Sequence, residues 1–325
     1  MKPKIFITRK IPLVIYDKLA KHFNVRMWEE EDIPVSRDML IKEIQQADGL
    51  FCLLTETIDA EVIEKAKHLK VISNMAVGYN NIDVKTAAEH GVIVTNTPGV
   101  LTETTADLTF ALLMATARRV VEASDYLRKG EWKTWSPMQL TGQDIYGTTL
   151  GIIGMGRIGQ ALVKRAKGFG MNILYYNRSR KTDIEKDLGI EYCELETLLE
   201  LSDFVSILIP YSSEVHHLIG ENELKRMKES AILINTARGG IVDEKALYEA
   251  LKHGEIWAAG LDVFEKEPVD LDSPLLTLPN VVTLPHIGSA SESTRLKMAD
   301  IAADNLIQVL QGREPLTPVK LEVKK

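Results

Sequence analysis

Cysteine is almost absent from this chain. Cys52 and Cys193 are the only two in 325 residues, too few for a disulfide framework or a cysteine-based metal cluster, and they suit a reducing compartment. No apolar run approaches the roughly 18 residues of a membrane span. The start of the chain, Met1-Lys2-Pro3-Lys4-Ile5-Phe6-Ile7, holds too short an apolar run for a secretory leader. A cytoplasmic protein without a membrane partner is expected. Basic residues are not in excess, 39 Lys and Arg against 46 Asp and Glu for a net charge of −7. A broad polyanion-binding surface and a nucleic-acid partner are therefore not expected, and any basic site must be local. Short-period repeats and low-complexity segments are missing too. What remains is an ordinary globular composition, 45% hydrophobic, in a chain long enough for two domains with full cores.

One stretch organises the rest. Thr149-Leu150-Gly151-Ile152-Ile153 is a short run of β-formers, followed by Gly154-Met155-Gly156-Arg157-Ile158-Gly159, an amphipathic segment through Phe169, and a second run at Ile173-Leu174-Tyr175-Tyr176. Strand, glycine turn, helix and strand at this spacing form the βαβ fingerprint of a dinucleotide site. Gly154 permits a tight exit from the strand, Gly156 lets the backbone come close to a pyrophosphate, and Gly159 lets the helix pack on the sheet. The helix N-terminus attracts the phosphates through its free N–H groups and its dipole. The glycine pattern alone would be weak, because such turns also merely reverse a chain; the legible strands and helix around it carry the reading.

A residue type is missing from its usual place. An NAD site has Asp or Glu at the end of the second strand to accept from the ribose hydroxyls, but Asn177-Arg178-Ser179-Arg180-Lys181 stands there. Neutral Asn177 cannot repel a 2′-phosphate, Arg178 and Arg180 can pair with one, and Ser179 can donate to it. NADP(H) is therefore the expected cofactor, with NAD(H) possible. The plain alternative is a charged, solvated turn to which Lys181 also belongs.

The first hundred residues alternate short apolar runs with amphipathic segments, the pattern of a parallel sheet with crossover helices. Strands are expected at Lys4 to Thr8, Val25 to Trp28, Gly49 to Leu54, Val71 to Val77 and Val92 to Asn96. Helices fit between them, at Leu13 to His22, Ser36 to Gln46, Asp59 to Lys67 and Asp83 to His90. A long helix is predicted from Thr102 to about Lys129, then an extended loop with Trp132 and Trp135. Further strands are expected at Phe204 to Ile209, Ala231 to Asn235, Ala258 to Val263 and Val281 to Leu284. A last helix follows Ser289-Ala290-Ser291-Glu292, which reads as a capping box. It is assigned to the first domain, because a small sheet needs helices on both faces.

Three ionisable residues follow strand ends in the nucleotide half: Arg238 in Asn235-Thr236-Ala237-Arg238-Gly239-Gly240, Glu267 after Asp262-Val263-Phe264, and His286 in Leu284-Pro285-His286-Ile287-Gly288-Ser289. Strand C-termini of one parallel sheet face one crevice, so the three can converge on a ligand. Their types suit hydride reduction of a 2-keto acid. Arg supplies a fork for carboxylate and carbonyl. His supplies a proton near neutral pH, and a carboxylate beside it favours the charged imidazole and orients it. Singly, each has a bland reading as a solvated or turn residue. His216-His217 lacks glycine or strand-end context and is read as solvent-facing.

With these motifs together, the sequence resembles the D-isomer-specific 2-hydroxyacid dehydrogenase family over nearly its whole length, and most closely its glyoxylate and hydroxypyruvate reductases. The resemblance implies two doubly wound, Rossmann-like α/β domains with the active site in the cleft between them. Residues 1–100 plus 287–325 would form a discontinuous, flavodoxin-like substrate domain, and 101–286 the dinucleotide-binding domain. It implies Arg238 as substrate-binding arginine, His286 as proton donor and Glu267 as its partner. Val77 and Gly78 would offer backbone N–H groups to the substrate carboxylate, with Leu54 lining the pocket and Ser289 beside it. Thr105, Ile209, Pro210 and Asp262 would seat the cofactor, with Thr236, Ala237 and Gly288 from the same signatures. No metal is implied. The long helix and the Trp135 loop resemble the dimerisation segment of these reductases, in which a tryptophan reaches the partner's active site, so a homodimer is expected. D-3-phosphoglycerate dehydrogenase is the rival enzyme reading, disfavoured by the missing ribose acid. A cofactor-sensing corepressor on the same fold is the rival of another class.

Overall fold

Alternating apolar runs and amphipathic segments close two parallel sheets, one in each half of the folded chain. The computed structural model describes residues 2–320, and its contacts divide the chain into two units. One unit runs to Leu101 and resumes at Ala290; the other is Thr102–Ser289. The divisions fall one and three residues beyond the expected 100 and 286. Residues 1 and 321–325 of the expected first domain lie outside the described residues.

The first unit is built from β1 (Lys4–Ile7), α1 (Leu13–Ala20), β2 (Asn24–Met27), α2 (Arg37–Ile44), β3 (Gly49–Cys52), α3 (Ala60–Lys65), β4 (Val71–Asn74), α4 (Val84–Glu89) and β5 (Ile93–Thr95). Its sheet has the order β2-β1-β3-β4-β5, every pair parallel, which is a doubly wound arrangement. Ser36, Asp59 and Asp83 cap α2, α3 and α4 by accepting from the amides of Met39, Val62 and Thr86. One sheet face packs on Leu40, Ile44, Val62 and Ile63; the other is covered by Ala299, Ala302, Ala303 and Leu306 of the C-terminal helix. That helix, Glu292–Leu310, is capped by Ser291, whose side chain accepts from the Thr294 amide, so Ser289-x-x-Glu292 does not form the expected capping box.

The second unit comprises α5 (Thr102–Ala117), α6 (Val120–Arg128), β6 (Thr149–Ile153), α7 (Arg157–Gly168), β7 (Asn172–Tyr176), α8 (Thr182–Leu188), β8 (Glu191–Tyr192), α9 (Leu195–Leu201), β9 (Phe204–Ile207), α10 (Glu221–Arg226), β10 (Ile232–Asn235), α11 (Glu244–His253), β11 (Ala258–Leu261) and β12 (Val281–Thr283). Its sheet is parallel, in the order β12-β11-β10-β9-β6-β7-β8. Helix α5 buries Ala106, Phe110 and Leu113 in the same core as Leu150 and Ile152 of β6 and Leu162 of α7.

The long helix expected to Lys129 is broken. Arg119 takes a left-handed backbone at φ 53°, and the Ala117 carbonyl accepts from the Gln143 amide at 2.8 Å instead of continuing the helical ladder. Arg119 then pairs with Glu122 at 2.7 Å as α6 begins. Several strands are also shorter than their apolar runs: β3 stops at Cys52, β4 at Asn74, β9 at Ile207 and β11 at Leu261. Apolar residues beyond those ends belong to loops. Among the described residues no helix is long and apolar enough to cross a membrane.

Candidate active site

In the second unit the chain winds from β6 through β7 and β8 to one edge, then returns beside β6 with β9 and winds the other way. The loops after β6 and β9 part at this switch point, where doubly wound sheets bind their ligands. Gly154 leaves β6 at φ 109°, and a Cβ there would stand 2.8 Å from Leu208 backbone and the Ile209 side chain. Gly159 is equally confined, since a Cβ would overlap the Gly154 carbonyl; the helix thus starts against the turn. Gly156 caps α7 and is the opposite case, with nothing within 4 Å of a built Cβ. Open space before a twelve-residue helix N-terminus fits a pyrophosphate. Met155 is buried, and its amide donates to Asn177 Oδ1 at 3.4 Å.

The loops after β10, β11 and β12 carry the ionisable groups. Buried Asn235 shapes the first: its Nδ2 donates to the Arg238 carbonyl at 2.9 Å, and its Oδ1 accepts from the Ala237 amide at 3.1 Å. Thr236 shares a hydrogen bond with Thr109 of α5, oxygen to oxygen at 2.7 Å. Arg238 Nη1 donates to the Ala237 carbonyl at 2.7 Å. Burial pulls its guanidinium below the ordinary value, opposed by the charge of Glu267. Gly239 comes so close to the next loop that a Cβ would overlap the Phe264 carbonyl and the Glu265 nitrogen. The Arg238 and Glu267 loops are thereby packed backbone to backbone.

Glu267 Oε1 accepts from the Phe264 amide at 3.1 Å and Oε2 meets His286 Nδ1 at 2.6 Å. Both side chains are about three-quarters buried, 28% and 25% exposed. Burial pushes the Glu267 carboxyl up, but His286, the Phe264 amide and Arg238 together hold it below its usual value. His286 itself has a left-handed backbone at φ 54°, a strain of about 1–3 kcal/mol for a residue with a side chain. The next two residues hold it there. The amides of Ile287 and Gly288 donate to the two oxygens of buried Asp262, at 2.7 and 2.8 Å. Burial raises the Asp262 carboxyl, and these amides and His286 oppose the rise. Thr105 of α5 lies against Gly288, its Cγ2 3.5 Å from a built Cβ.

Residues of the first unit stand in loops after β3 and β4. Leu54, Val77 and Gly78 are half-buried, and the carbonyls of Val77 and Gly78 accept from the Asn96 and Asn74 carboxamides at 2.8 and 3.0 Å. Pro210 and Arg157 are exposed; Ser289 is half-buried. Trp135 is 75% exposed in the segment between α6 and β6. His216 is exposed, as expected of a solvent-facing pair, but His217 is half-buried and held. His217 Nε2 meets Glu265 at 3.0 Å, its backbone amide donates to the Gly240 carbonyl at 2.9 Å, and His216 stacks on its ring at 3.9 Å. Asn235, Gly239 and His217 are supports that residue type alone did not mark: Gly239 and His217 meet another loop, at Phe264 and Glu265, while Asn235 braces its own. Among the described residues no group of three or more His, Cys, Asp or Glu side chains could hold a metal ion.

Residues 110–288 match the family model described as D-isomer specific 2-hydroxyacid dehydrogenase, NAD binding domain. The chain belongs to this family. A glyoxylate reductase of Korarchaeum cryptofilum is 56% identical, with 100% of this chain and 98% of that protein covered. A solved structure of a Thermus thermophilus protein superposes with a TM-score of 0.91 at 46% identity, covering 98% of this chain and all of that one. An NADPH-dependent glyoxylate/hydroxypyruvate reductase of Sinorhizobium meliloti, solved with NADP and malonate, superposes at 0.85 with 34% identity, over 98% of this chain and 97% of that one. As a member of the 2-hydroxyacid dehydrogenase family this chain is an oxidoreductase with a nicotinamide cofactor. The open Gly156 turn at the α7 N-terminus fits that cofactor's pyrophosphate.

Proposed function

We propose that this enzyme reduces glyoxylate, hydroxypyruvate or a similar small 2-keto acid to the 2-hydroxy acid, of D configuration where C2 is chiral, and that it prefers NADPH. The relatives named glyoxylate reductase support the substrate class. The observation that carries the chemistry is the 2.6 Å contact between Glu267 and His286, with the Glu267 loop packed against that of half-buried Arg238. When bound, the nicotinamide supplies a hydride to C2. Residues of the Gly154-x-Gly156-x-x-Gly159 turn, with Thr105, Met155, Ile158, Ile209, Pro210, Thr236, Ala237 and Gly288, would hold that cofactor.

The protein's own groups do the rest. With Nδ1 engaged by Glu267, His286 turns Nε2 to the substrate oxygen and delivers a proton there as negative charge develops. The carboxylate steadies the imidazolium before that transfer and keeps the ring oriented after it. Arg238 offers a half-buried cation for the substrate carboxylate and the developing alkoxide, a role in which the lowered local dielectric strengthens each contact. Leu54, Val77, Gly78 and Ser289 are retained as substrate contacts on the family resemblance. The lack of an acid at Asn177, with exposed Arg178 and Ser179 following it, supports the NADPH preference.

A homodimer is part of the proposal. Helix α6 buries none of its residues. Val120, Leu127, Trp132, Trp135 and Met138, in α6 and the segment after it, are all more than half exposed. A second copy meeting this segment about a two-fold axis would cover that surface.

Steady-state kinetics on a panel of 2-keto acids with both cofactors test the reading. Glyoxylate turnover with NADPH at least about tenfold above NADH in kcat/KM is expected, one charge-assisted contact to the 2′-phosphate being enough for that ratio. Lack of turnover on every small 2-keto acid overturns the substrate assignment, and equal use of the two cofactors overturns the preference.

A further inference from the structure

Two carboxylates are buried among the described residues, Asp262 and Glu56. Asp262 accepts from the amides that hold the His286 loop. Glu56 lies in the first unit, 5% exposed in the loop after β3, and proton delivery by His286 does not employ it. A charge taken out of water persists only where hydrogen bonds and a counter-charge offset its desolvation. Glu56 has both. Its Oε2 accepts from the Leu53 amide at 2.8 Å and from the Thr8 hydroxyl at 2.7 Å. Its Oε1 accepts from the Thr55 hydroxyl at 2.6 Å and lies 3.4 Å from Nη2 of Arg9, a side chain only 11% exposed. Arg9 also donates from Nη1 to the Glu31 carbonyl at 3.0 Å, so the pair ties together the loops after β1, β2 and β3.

The backbone around Leu54 is fixed from two directions. The Glu56 side chain reaches back to the Leu53 amide, and the Asn81 carboxamide donates to the carbonyls of Leu53 and Glu56, each at 3.0 Å. Asn81 comes from the loop after β4. There its Oδ1 accepts from Nδ2 of buried Asn74 at 3.4 Å, and the same nitrogen donates to the Gly78 carbonyl at 3.0 Å. Leu54 therefore sits in a turn closed at both ends, and two carboxamides join that turn to the segment of Val77 and Gly78.

We infer that Glu56 is a positioning residue that sets substrate size: it holds Leu54 in one place against the substituent on C2 of the 2-keto acid. The inference rests on the reading of Leu54 as a substrate contact and deepens it. A leucine on a loose loop yields to a larger substituent. In this turn it cannot yield without leaving a buried carboxylate, an amide or two carbonyls unpaired. Exclusion of bulky keto acids thus depends on the closed turn as much as on the leucine itself.

Steady-state kinetics of the full chain with glyoxylate and with ketoisovalerate, which carries a branched isopropyl group on C2, test this. Glu56→Gln keeps the shape and an acceptor for the Leu53 amide, but it sets an uncharged amide beside Arg9 and loosens the turn. KM for glyoxylate should rise about tenfold with kcat within about threefold, because Arg238, Glu267 and His286 belong to the other unit. The ratio of kcat/KM for glyoxylate over ketoisovalerate should fall about tenfold, while the NADPH dissociation constant from titration calorimetry stays within about twofold. Asn81→Ala cuts the tie to both carbonyls and leaves the Arg9–Glu56 pair in place. It should lower the ratio likewise, and it keeps the test open should Glu56→Gln fold poorly. Leu54→Ala reads the underlying assignment and should lower the ratio by about tenfold or more. If Leu54→Ala lowers it but folded Glu56→Gln and Asn81→Ala proteins keep the native ratio and native KM, whatever their Tm, the inference alone is overturned. A native ratio in Leu54→Ala overturns the assignment of Leu54 and takes the inference with it.

Discussion

Replacing Gly239 by alanine asks whether the Arg238 and Glu267 loops work as one piece. The added methyl would overlap the Phe264 carbonyl and the Glu265 nitrogen, backbone atoms that cannot rotate aside. Carbon atoms settle at about 3.5–4 Å from one another, so the loop after β11 must retreat by about an ångström or more. The Phe264 amide holds Glu267 at 3.1 Å and Glu267 holds His286 at 2.6 Å, so the retreat carries the carboxylate away from the imidazole it orients. Overpacking of this kind costs about 1–3 kcal/mol. At about 2–4 °C per kcal/mol for a unit of this size, Tm should fall by roughly 2–12 °C. Misplacement of reacting groups by about 1 Å lowers turnover by about a hundredfold. Calorimetric melting and glyoxylate kinetics on the same preparation read both effects, and the loss should fall on kcat, since nothing around the β6 turn has moved. A Gly239→Ala enzyme with native Tm and native kcat would refute the idea that the two loops are rigidly coupled.

Gly156→Ala is the complementary change: with nothing within 4 Å of the new methyl, it should cost no more than about 1 kcal/mol as a poorer helix cap, yet raise the NADPH Kd at least about tenfold, and native affinity would remove Gly156 from the pyrophosphate site. Arg238→Ala should lower kcat/KM for glyoxylate by about a hundredfold or more through lost charge-assisted contacts, with Arg238→Lys recovering only part because it lacks the fork; near-native kinetics of the alanine variant would sink the role. Glu267 sits below its usual carboxyl value in the fold, so its stabilising effect is full above the unfolded-chain value of about 4.3 and lost as pH falls through the lower folded value. The Tm deficit of Glu267→Gln should therefore be present at pH 7 and shrink on acidification below about pH 4. The same variant should lower kcat for glyoxylate reduction by about tenfold or more, because the imidazole loses the carboxylate that orients it, and unchanged kinetics would contradict the pairing with His286. Light scattering should give a dimer at micromolar concentration, and Trp135→Ala should reduce activity without changing Tm; a monomeric native protein would end the dimer proposal.

Local pattern determined a good deal. The period-two and helical runs mark where sheets and crossover helices alternate, and the glycine turn after β6 announces itself because a strand and an amphipathic helix flank it. Asn177-Arg178-Ser179 departs visibly from the ribose acid of an NAD site, since that position follows from counting along one βαβ unit. The ends of elements are another matter. Val77, Ile209 and Val263 continue apolar runs and read as strand, but they lie beyond the last sheet pairing, where apolar character serves loops instead of ladders. The break in the long helix is equally invisible locally. Residues 102–129 have good helical character, and what stops α5 is the Gln143 amide arriving from a distant loop to take the Ala117 carbonyl. Likewise Arg180 looks solvated until α8 brings Glu185 beside it and Tyr175 locks that carboxylate in place. His217 looks solvated until Glu265 meets it. Sequence by itself thus determines which groups exist and which elements carry them, because propensity and periodicity act over a few residues. Which charges are already paired, and which carbonyls still have helical partners, only the tertiary structure decides, because those partners are supplied by chain that is remote in sequence.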